Sequence, residues 1–398
     1  MPTTVQHHGT RPLPSAGPSL APAGTRGLPG VAVATGDGVT VKVDRGRLVI
    51  RDNPDGQPRE QYWPRAGHKL QRVVIVGTTG ILTLNAIQWC AFLAIPIVVI
   101  GPDGRLLFTT AYGSGGETTV KNDARLRRAQ AAATDSGVGL DVARYVLTAK
   151  LTGAMDCASR YLLDGETVVA SLAEAVAAVA KAATAERCRE VEGEAAKVYF
   201  AAWRDIRARF ADGTSTVPDH WYSFGARNSL VSYRRTARYA SNPINAMLNY
   251  LYTVAASECR LACLALGLDP GLGYLHNDQS NRESLVYDLL EVVRPVVDRW
   301  VMTYLGARVF GSDEFVETRI GSCRIQPTLL RVLAATGPLW FQTVAPHAET
   351  VTHMIAETSP YPIRKTTPLT ASRKRAAKRQ RPWAGVSDAA IRATFAHG

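Results

Sequence analysis

The chain has 398 residues, enough for more than one packed domain, and its hydrophobic content of 46% is that of an ordinary globular protein. The formal net charge of +12 favours a polyanionic partner such as a nucleic acid. Because no apolar run is long enough to span a bilayer, we expect no membrane protein.

The N-terminal part has two regions of different composition. Residues 1–30 are rich in Pro, Gly, Thr and Ala without periodicity, which predicts a disordered leader. Residues 31–112 contain short strand patterns: VTVKVD and RLVI around a turn, then RVVIVG, IPIVVIG and RLLFTTA. The segment ILTLNAIQWCAFLA is typical of a helix. We therefore predict a small β-rich domain with one helix.

Helical spacing begins after residue 112 and continues to about residue 357, which predicts a larger, mostly α-helical domain over 113–357. Residues 358–398 hold a run of Lys and Arg without acids, typical of a basic tail that is either solvated or bound to phosphates. The predicted fold is α+β and multidomain, with disordered ends.

The six cysteines form no CxxC pair and mostly lie in apolar helical patterns. This indicates reduced, buried thiols and a cytoplasmic protein rather than a disulfide framework. Cys259 and Cys263 share one helix face, but a structural zinc site needs more ligands than are visible nearby.

Glu192 lies on an otherwise apolar helix face, which is formed by Cys188, Glu192, Ala195, Tyr199, Trp203, Ile206 and Phe210. A buried carboxylate without a partner is costly, so it should meet a cation. That cation is either a metal or an arginine, for which Arg189 and the arginines of 227–238 are available. Gly193 beside it permits the close approach of another backbone or of DNA.

Asp288 and Glu291 lie one turn apart on a predicted helix, with Ser280 as its N-cap and Glu283 as the capping-box partner. Two carboxylates so close repel each other unless a cation or a proton lies between them. The alternative is a pair of solvated surface acids.

His276 precedes this helix in a Gly/Pro-rich loop that can fold the imidazole over the first helical turns. Alternatively, hydrogen bonds within a turn satisfy the ring. Oxygen ligands with one imidazole suit Mg²⁺ or Mn²⁺, and such an ion can activate a phosphodiester and an attacking hydroxyl.

The segment between these residues is basic and aromatic. It carries four candidate DNA-binding arginines: Arg227, Arg234, Arg235 and Arg238. Arginines bind phosphates and stack on bases, and tyrosines offer stacking surfaces. The alternative is an ordinary loop with surface arginines.

Several separated segments, in order, resemble the universal integrase family of CRISPR adaptation, the catalytic subunit of spacer acquisition. They are GTTGILT, IPIVVIGPDGRLL, RLRRAQ, EGEAAKVYF, NPINAMLNYLY, ECRLA and LGLDPGLGYLHNDQSNRESLVYDLLEVVRP. The resemblance runs from about residue 33 to residue 357. The leader and the basic tail lie outside it.

This resemblance implies a metal-dependent DNA endonuclease and integrase, in which a 3′-hydroxyl of a short duplex attacks a repeat phosphodiester. It implies Glu192, His276 and Glu291 as ligands of Mg²⁺ or Mn²⁺, with Asp288 as an additional acid beside the metal. Double-stranded and branched DNA, a homodimer and a small ferredoxin-like nuclease partner are also implied.

Two other functions remain open. A casposase-like transposon integrase would use the same chemistry on another target. A non-catalytic DNA-binding scaffold is the alternative from another class, but a scaffold has no use for a buried Glu192.

Overall fold

A computed structural model describes residues 30–110, 123–211, 217–225, 240–276, 282–360, 362–363 and 369. The leader, most of the basic tail and the predicted domain boundary near residue 112 lie outside these ranges. The domain limits therefore stay predictions. The α+β fold itself is confirmed, since a β-rich part precedes a helical part.

The β-rich part contains two four-stranded sheets and one helix among the described residues. In chain order, its elements are β1 (Val31–Thr35), β2 (Val39–Asp44), β3 (Arg47–Asp52), β4 (Arg59–Trp63), β5 (Arg72–Val76), β6 (Gly80–Leu82), α1 (Leu84–Phe92), β7 (Ile97–Ile100) and β8 (Leu106–Thr109). The first sheet has the order β1-β5-β7-β8, and the second has the order β4-β3-β2-β6.

Strands β1 and β5 of the first sheet are buried on both faces, whereas the edge strand β8 exposes Leu107 and Phe108. In β5, Val73 and Ile75 pack in a core shared with the second sheet and α1, whereas Val74 and Val76 pack in the core of the helical part. Alternate side chains of a strand point to opposite faces, so a strand between two cores must be apolar throughout. This explains why RVVIVG and IPIVVI are unbroken apolar runs, and it joins the two parts through one sheet.

Three local predictions for this part need correction. The segment ILTLNAIQWCAFLA is not all helix: Gly80–Leu82 pairs with β2, and α1 begins at Leu84 after the Thr83 cap, whose side chain accepts a hydrogen bond from Ala86 N at 3.3 Å. Strands β1 and β4 were not predicted. Strand β1 pairs with β5, which is distant in the sequence, and β4 pairs with β3 across a loop. The β4 segment, REQYW, also lacks a strong apolar pattern.

The helical part begins after the first sheet. Its elements are α2 (Ala124–Ala133), α3 (Val138–Tyr161), α4 (Gly165–Lys181), α5 (Ala185–Ala201), α6 (Pro243–Leu266), α7 (Ser284–Ala307), β9 (Phe315–Glu317), β10 (Cys323–Ile325), α8 (Pro327–Ala334) and α9 (Gly337–Ala356). All described helices are too short or too polar to cross a membrane.

Helices α3 and α7 pack side by side in the same direction. A Cβ atom on Gly153 would lie 2.9 Å from Cβ of Pro295, so this glycine permits the close approach. Further along, Asp156 binds Arg299 (Oδ2 to Nη1, 3.2 Å), and Tyr161 OH lies 2.7 Å from Oγ1 of Thr303. The residue numbers rise together in both helices, which defines a parallel register.

Helix limits correct two further predictions. Helix α7 begins at Ser284 with Glu283 at the N-cap position, later than the predicted Ser280 cap, which lies outside the described residues. Asn242 is the N-cap of α6, and Pro243 lies in the first turn of that helix. The helix that carries Glu192 ends at Ala201, so Ile206 and Phe210 do not continue its face.

A buried ion pair connects the first sheet to α6. Arg72 in β5 donates from Nε to Oε1 of Glu258 at 2.9 Å and from Nη2 to Oε2 at 2.5 Å. Their side chains are 3% and 2% exposed. A Cβ atom on Gly337 would lie 2.6 Å from Oε1 of Glu258, so α9 can approach this pair only with a glycine there. Glu258 therefore has a structural partner and is not a metal ligand.

We predict that Glu258→Gln lowers the free energy of unfolding by about 3–5 kcal/mol, because the guanidinium of Arg72 loses its buried counter-charge. Chemical denaturation measures the change. Glu194→Gln is the control, because Glu194 pairs with Lys197 at the surface and its side chain is 76% exposed. Equal unfolding midpoints for Glu258→Gln and the unmodified chain would refute this role.

Candidate metal centre

The predicted site lies beside a cavity of about 420 Å³ that α3, α5, α6 and α7 enclose. Charged side chains from three of these helices line it: Lys150, Glu192, Lys197, Glu291, Arg294 and Asp298. The structure therefore brings Glu192 and Glu291 together, although they lie 99 positions apart in the sequence.

Glu192 meets a cation, as its position on an apolar helix face predicts. Its neighbours on α5, Cys188, Ala195 and Tyr199, are buried, and its own side chain is 19% exposed. The cation is Lys150 of α3, whose Nζ lies 2.5 Å from Oε1 of Glu192. Among the described residues, the alternative of an arginine partner for Glu192 is wrong, since Arg189 binds Glu186 and the carbonyl of Leu275.

Glu291 is held ionised by two cations. Lys150 Nζ also contacts its Oε2, and Arg294 Nε donates to its Oε1 at 3.0 Å. Burial by itself raises the pKa of this carboxyl group, but the charges of Arg294 and Lys150 outweigh burial and lower its pKa to about 2. The alternative of a solvated surface acid is therefore wrong for Glu291, which is 5% exposed.

Asp288 is fully buried and acts as an anchor for the loop before α7. Its Oδ2 accepts hydrogen bonds from the backbone amides of Tyr274 (2.7 Å) and Leu275 (3.0 Å), and its Oδ1 accepts from the amide of His276 (3.0 Å). A Cβ atom on Gly273 would lie 3.0 Å from Oδ2 of Asp288. The glycine thus lets the loop lie directly on the carboxylate.

The same carboxylate orients His276. Nδ1 of the ring lies 2.7 Å from Oδ1 of Asp288. An ionised carboxylate only accepts hydrogen bonds, so Nδ1 donates to it, and in the neutral imidazole this leaves the lone pair on Nε2. Nε2 lies 4.0 Å from Oε1 of Glu291. This is the arrangement by which an outer carboxylate prepares a histidine to bind a metal.

Two residues that sequence reasoning missed hold the loop from its other side. Gln130 of α2 donates to the carbonyls of Asp269 and Leu272, both at 2.8 Å. Arg189 of α5 donates to the carbonyl of Leu275 at 2.9 Å. Gln130 is fully buried among apolar positions of α2, so a polar side chain in an apolar stripe was a usable signal.

Lys150 was missed although the same signal was present. It lies on α3 on the same face as the buried residues Val146, Leu147 and Ala154. A buried ammonium group needs a counter-charge for the same reason as a buried carboxylate. The apolar-face argument that selected Glu192 thus also applies to Lys150.

A further buried acid, Asp298 of α7, supports the cation side of the site. It accepts hydrogen bonds from the hydroxyl groups of Tyr199 (3.2 Å) and Tyr252. The Tyr252 ring lies under the guanidinium of Arg294, with 4.6 Å from Cζ to the ring centroid. This contact positions Arg294 against Glu291.

The donor groups available for a divalent ion are those of Glu192, Glu291 and His276. Among the described residues, no three His, Cys, Asp or Glu side chains stand close enough together to hold an ion as they are. However, Glu192 and Glu291 already converge on one cationic atom, Nζ of Lys150. Nε2 of His276 faces the carboxylate of Glu291. Oε2 of Glu291 touches this ammonium without accepting a well-aligned hydrogen bond. Two carboxylates and one imidazole are the kinds of donor that suit Mg²⁺ or Mn²⁺.

The other predicted functional residues are placed as follows. Arg227, Arg234, Arg235 and Arg238 lie in 226–239, outside the described residues, and remain predictions. All six cysteines are buried and free, and burial raises the pKa of Cys259 and Cys263. They behave as core residues.

Comparison with known proteins shows which family this chain resembles. Residues 32–336 match the family described as CRISPR associated protein Cas1. The CRISPR-associated endonuclease Cas1 2 of Rhodospirillum rubrum is 31% identical over 262 residues, which cover 62% of this chain and 69% of that protein.

Two solved structures share the fold. One is a casposase bound to integration product, with a TM-score of 0.64, 21% identity, and coverage of 87% of this chain and 99% of that one. The other is the Cas6-RT-Cas1–Cas2 complex, with a TM-score of 0.59, 17% identity, and coverage of 86% and 36%. Because the family match spans most of the sequence, this chain belongs to the CRISPR associated protein Cas1 family.

Proposed function

We propose that this protein is a metal-dependent DNA integrase and endonuclease that inserts short DNA spacers into a CRISPR repeat array. Family membership supports the endonuclease and integrase class. The observation that carries the metal chemistry is the convergence of Glu192 and Glu291 on one cationic atom, with Nε2 of His276 beside them. These three residues would hold the ion, Mg²⁺ or Mn²⁺, and Asp288 would hold His276.

In this proposal, a 3′-hydroxyl of the spacer attacks a phosphodiester of the repeat. A new P–O3′ bond forms, the old P–O3′ bond breaks, and the repeat strand leaves with a 3′-hydroxyl. A bound divalent ion would polarise the phosphodiester and favour ionisation of the attacking hydroxyl. Asp288 keeps the proton on Nδ1 of His276, and the low pKa of Glu291 keeps that ligand ionised at neutral pH.

The proposed partners follow from charge and from the relatives. The net charge of +12 favours DNA, in double-stranded and branched form. A homodimer that binds a small ferredoxin-like partner is proposed from the family, and one structural neighbour is named as a Cas1–Cas2 complex. A cytoplasmic location is proposed because the cysteines are buried and free.

A casposase-like integrase remains the second candidate, since a casposase shares the fold with a TM-score of 0.64. The chemistry is the same, so the target decides. Integration into a repeat array supports the first function, whereas integration that requires terminal inverted repeats supports the second. A non-catalytic scaffold is disfavoured, because such a protein gains nothing from a buried Glu291 and a partly buried Glu192 that converge on one cation.

We predict that Glu192→Gln lowers Mn²⁺-dependent nicking and strand transfer on branched DNA by roughly two orders of magnitude or more, since a ligand loses its charge. Gel assays with labelled DNA measure both reactions. Glu194→Gln, two residues along the same helix and exposed, should keep full activity. Unchanged activity of Glu192→Gln and His276→Ala would exclude this metal site.

Asp288→Asn should weaken Mn²⁺ binding by about 10–100-fold and also lower the thermal midpoint. The amide offers one oxygen where the carboxylate serves four donors, so both the loop and the histidine are loosened. Calorimetric titration and thermal unfolding measure the two effects. If Asp288→Asn kept both the midpoint and the Mn²⁺ affinity, the anchoring role would be wrong.

Gly193 gives a test of where DNA approaches. It lies in α5 and lines the cavity, and a Cβ atom there would meet no protein atom within 4 Å. Gly193→Ala should stabilise the helix by up to about 1 kcal/mol yet reduce strand transfer, because the methyl group enters the space proposed for DNA. Gly306→Ala is the matched control in α7, where a Cβ atom is equally free. Equal activity of both variants would place DNA elsewhere.

A further inference from the structure

The ammonium group of Lys150 joins two acids that come from different helices. Nζ lies 2.5 Å from Oε1 of Glu192 on α5 and also contacts Oε2 of Glu291 on α7. The lysine side chain is 18% exposed, and Glu291 is 6% exposed at its side chain. The two carboxylates therefore share one counter-cation at a partly buried position, where the Glu192 side chain is 19% exposed.

This arrangement has a defined origin in the packing. Lys150 lies one turn before Gly153, and Glu291 lies one turn before Pro295. The close approach of Gly153 to Pro295 sets the parallel register of α3 and α7, and that register brings the ammonium against Glu291. The position is thus determined by backbone packing.

Arg294 has a different role from Lys150. It binds Oε1 of Glu291, and its guanidinium rests on the Tyr252 ring. Since Arg294 lies on the same helix as Glu291, it can stay in place when the carboxylate binds another cation. Lys150 cannot stay in place, because it contacts one oxygen of each proposed ligand, Glu192 and Glu291.

We propose that Lys150 is a positioning residue that holds Glu192 and Glu291 together and competes with the divalent ion for both carboxylates. The inference rests on the proposed function. Binding of an ion by both acids must break both contacts of Lys150. The cavity that Lys150 lines gives its flexible side chain room to move away.

A neutral residue at position 150 should have two opposite effects. Without metal, two buried carboxylates lose a shared counter-charge and repel each other, so the thermal midpoint falls. With Mn²⁺, no ion pair to residue 150 has to be broken, and the ion relieves the repulsion between the two carboxylates. Mn²⁺ binding therefore becomes tighter by about tenfold or more. A lysine with a merely structural role would lower the midpoint without tightening metal binding.

The experiment titrates Mn²⁺ alone, without DNA, into the full chain by calorimetry and follows thermal unfolding in EDTA and in Mn²⁺. The variants are Lys150→Met and Lys150→Gln, since the second keeps hydrogen bonding if the first fails to fold. Lys197→Met is the control. Lys197 lines the same cavity, but it pairs with Glu194 and is 73% exposed, so its loss removes an equal charge without touching the ligands.

We expect both Lys150 variants to bind Mn²⁺ at least about tenfold more tightly than the unmodified chain, with a lower midpoint in EDTA and a larger rise on adding Mn²⁺. Lys197→Met should match the unmodified chain. Equal or weaker Mn²⁺ binding in the variants, with normal binding in the unmodified chain, overturns the inference and leaves the metal site intact. No Mn²⁺ binding in any of them overturns the proposed metal site as well.

Discussion

The pairing of buried charges is the constraint on which the centre of this protein depends. Four charged side chains, Lys150, Glu192, Glu291 and Arg294, meet where helices pack, and none could be buried there alone. Because the acids come from α5 and α7 and the lysine from α3, the charges are balanced only when all three helices are in register. The packing of α3 on α7 and the electrostatics of the site are thus one requirement.

The β-rich part contributes to this site through α6. Glu258 on α6 binds Arg72 of the first sheet, and Tyr252 on the same helix supports Arg294. Arg72 lies in β5, which is buried throughout, so the ion pair fixes α6 against a well-packed part of the sheet. Tyr252 lies between one and two turns before Glu258 on this helix, and its ring packs beneath the guanidinium of Arg294.

The loop that carries His276 shows how a flexible composition becomes rigid. The segment GLDPGLGYLH has three glycines and a proline, yet its backbone is held by Asp288, Gln130 and Arg189 from three helices. A Cβ atom at Gly273 would lie 2.6 Å from Cβ of Ser284, so the glycine lets the loop approach the first turn of α7, where its amides reach Asp288. A side chain on such a loop gains the positional accuracy of the helices around it.

The sequence alone determined the order of a β-rich part and a helical part, and it identified the unusual acids. Glu192 was recognised because an unpaired carboxylate on an apolar helix face is costly to bury. Asp288, Glu291 and His276 were recognised from their spacing and from the family resemblance. The tertiary structure decided what each residue contacts. Lys150 as the shared cation, Asp288 as the anchor of four donors, Gln130 as the loop clamp and β6 as a strand all depend on partners far away in the chain. Local patterns report whether a group is buried, but they carry no information about which distant group it meets, because that is set by how helices and sheets pack.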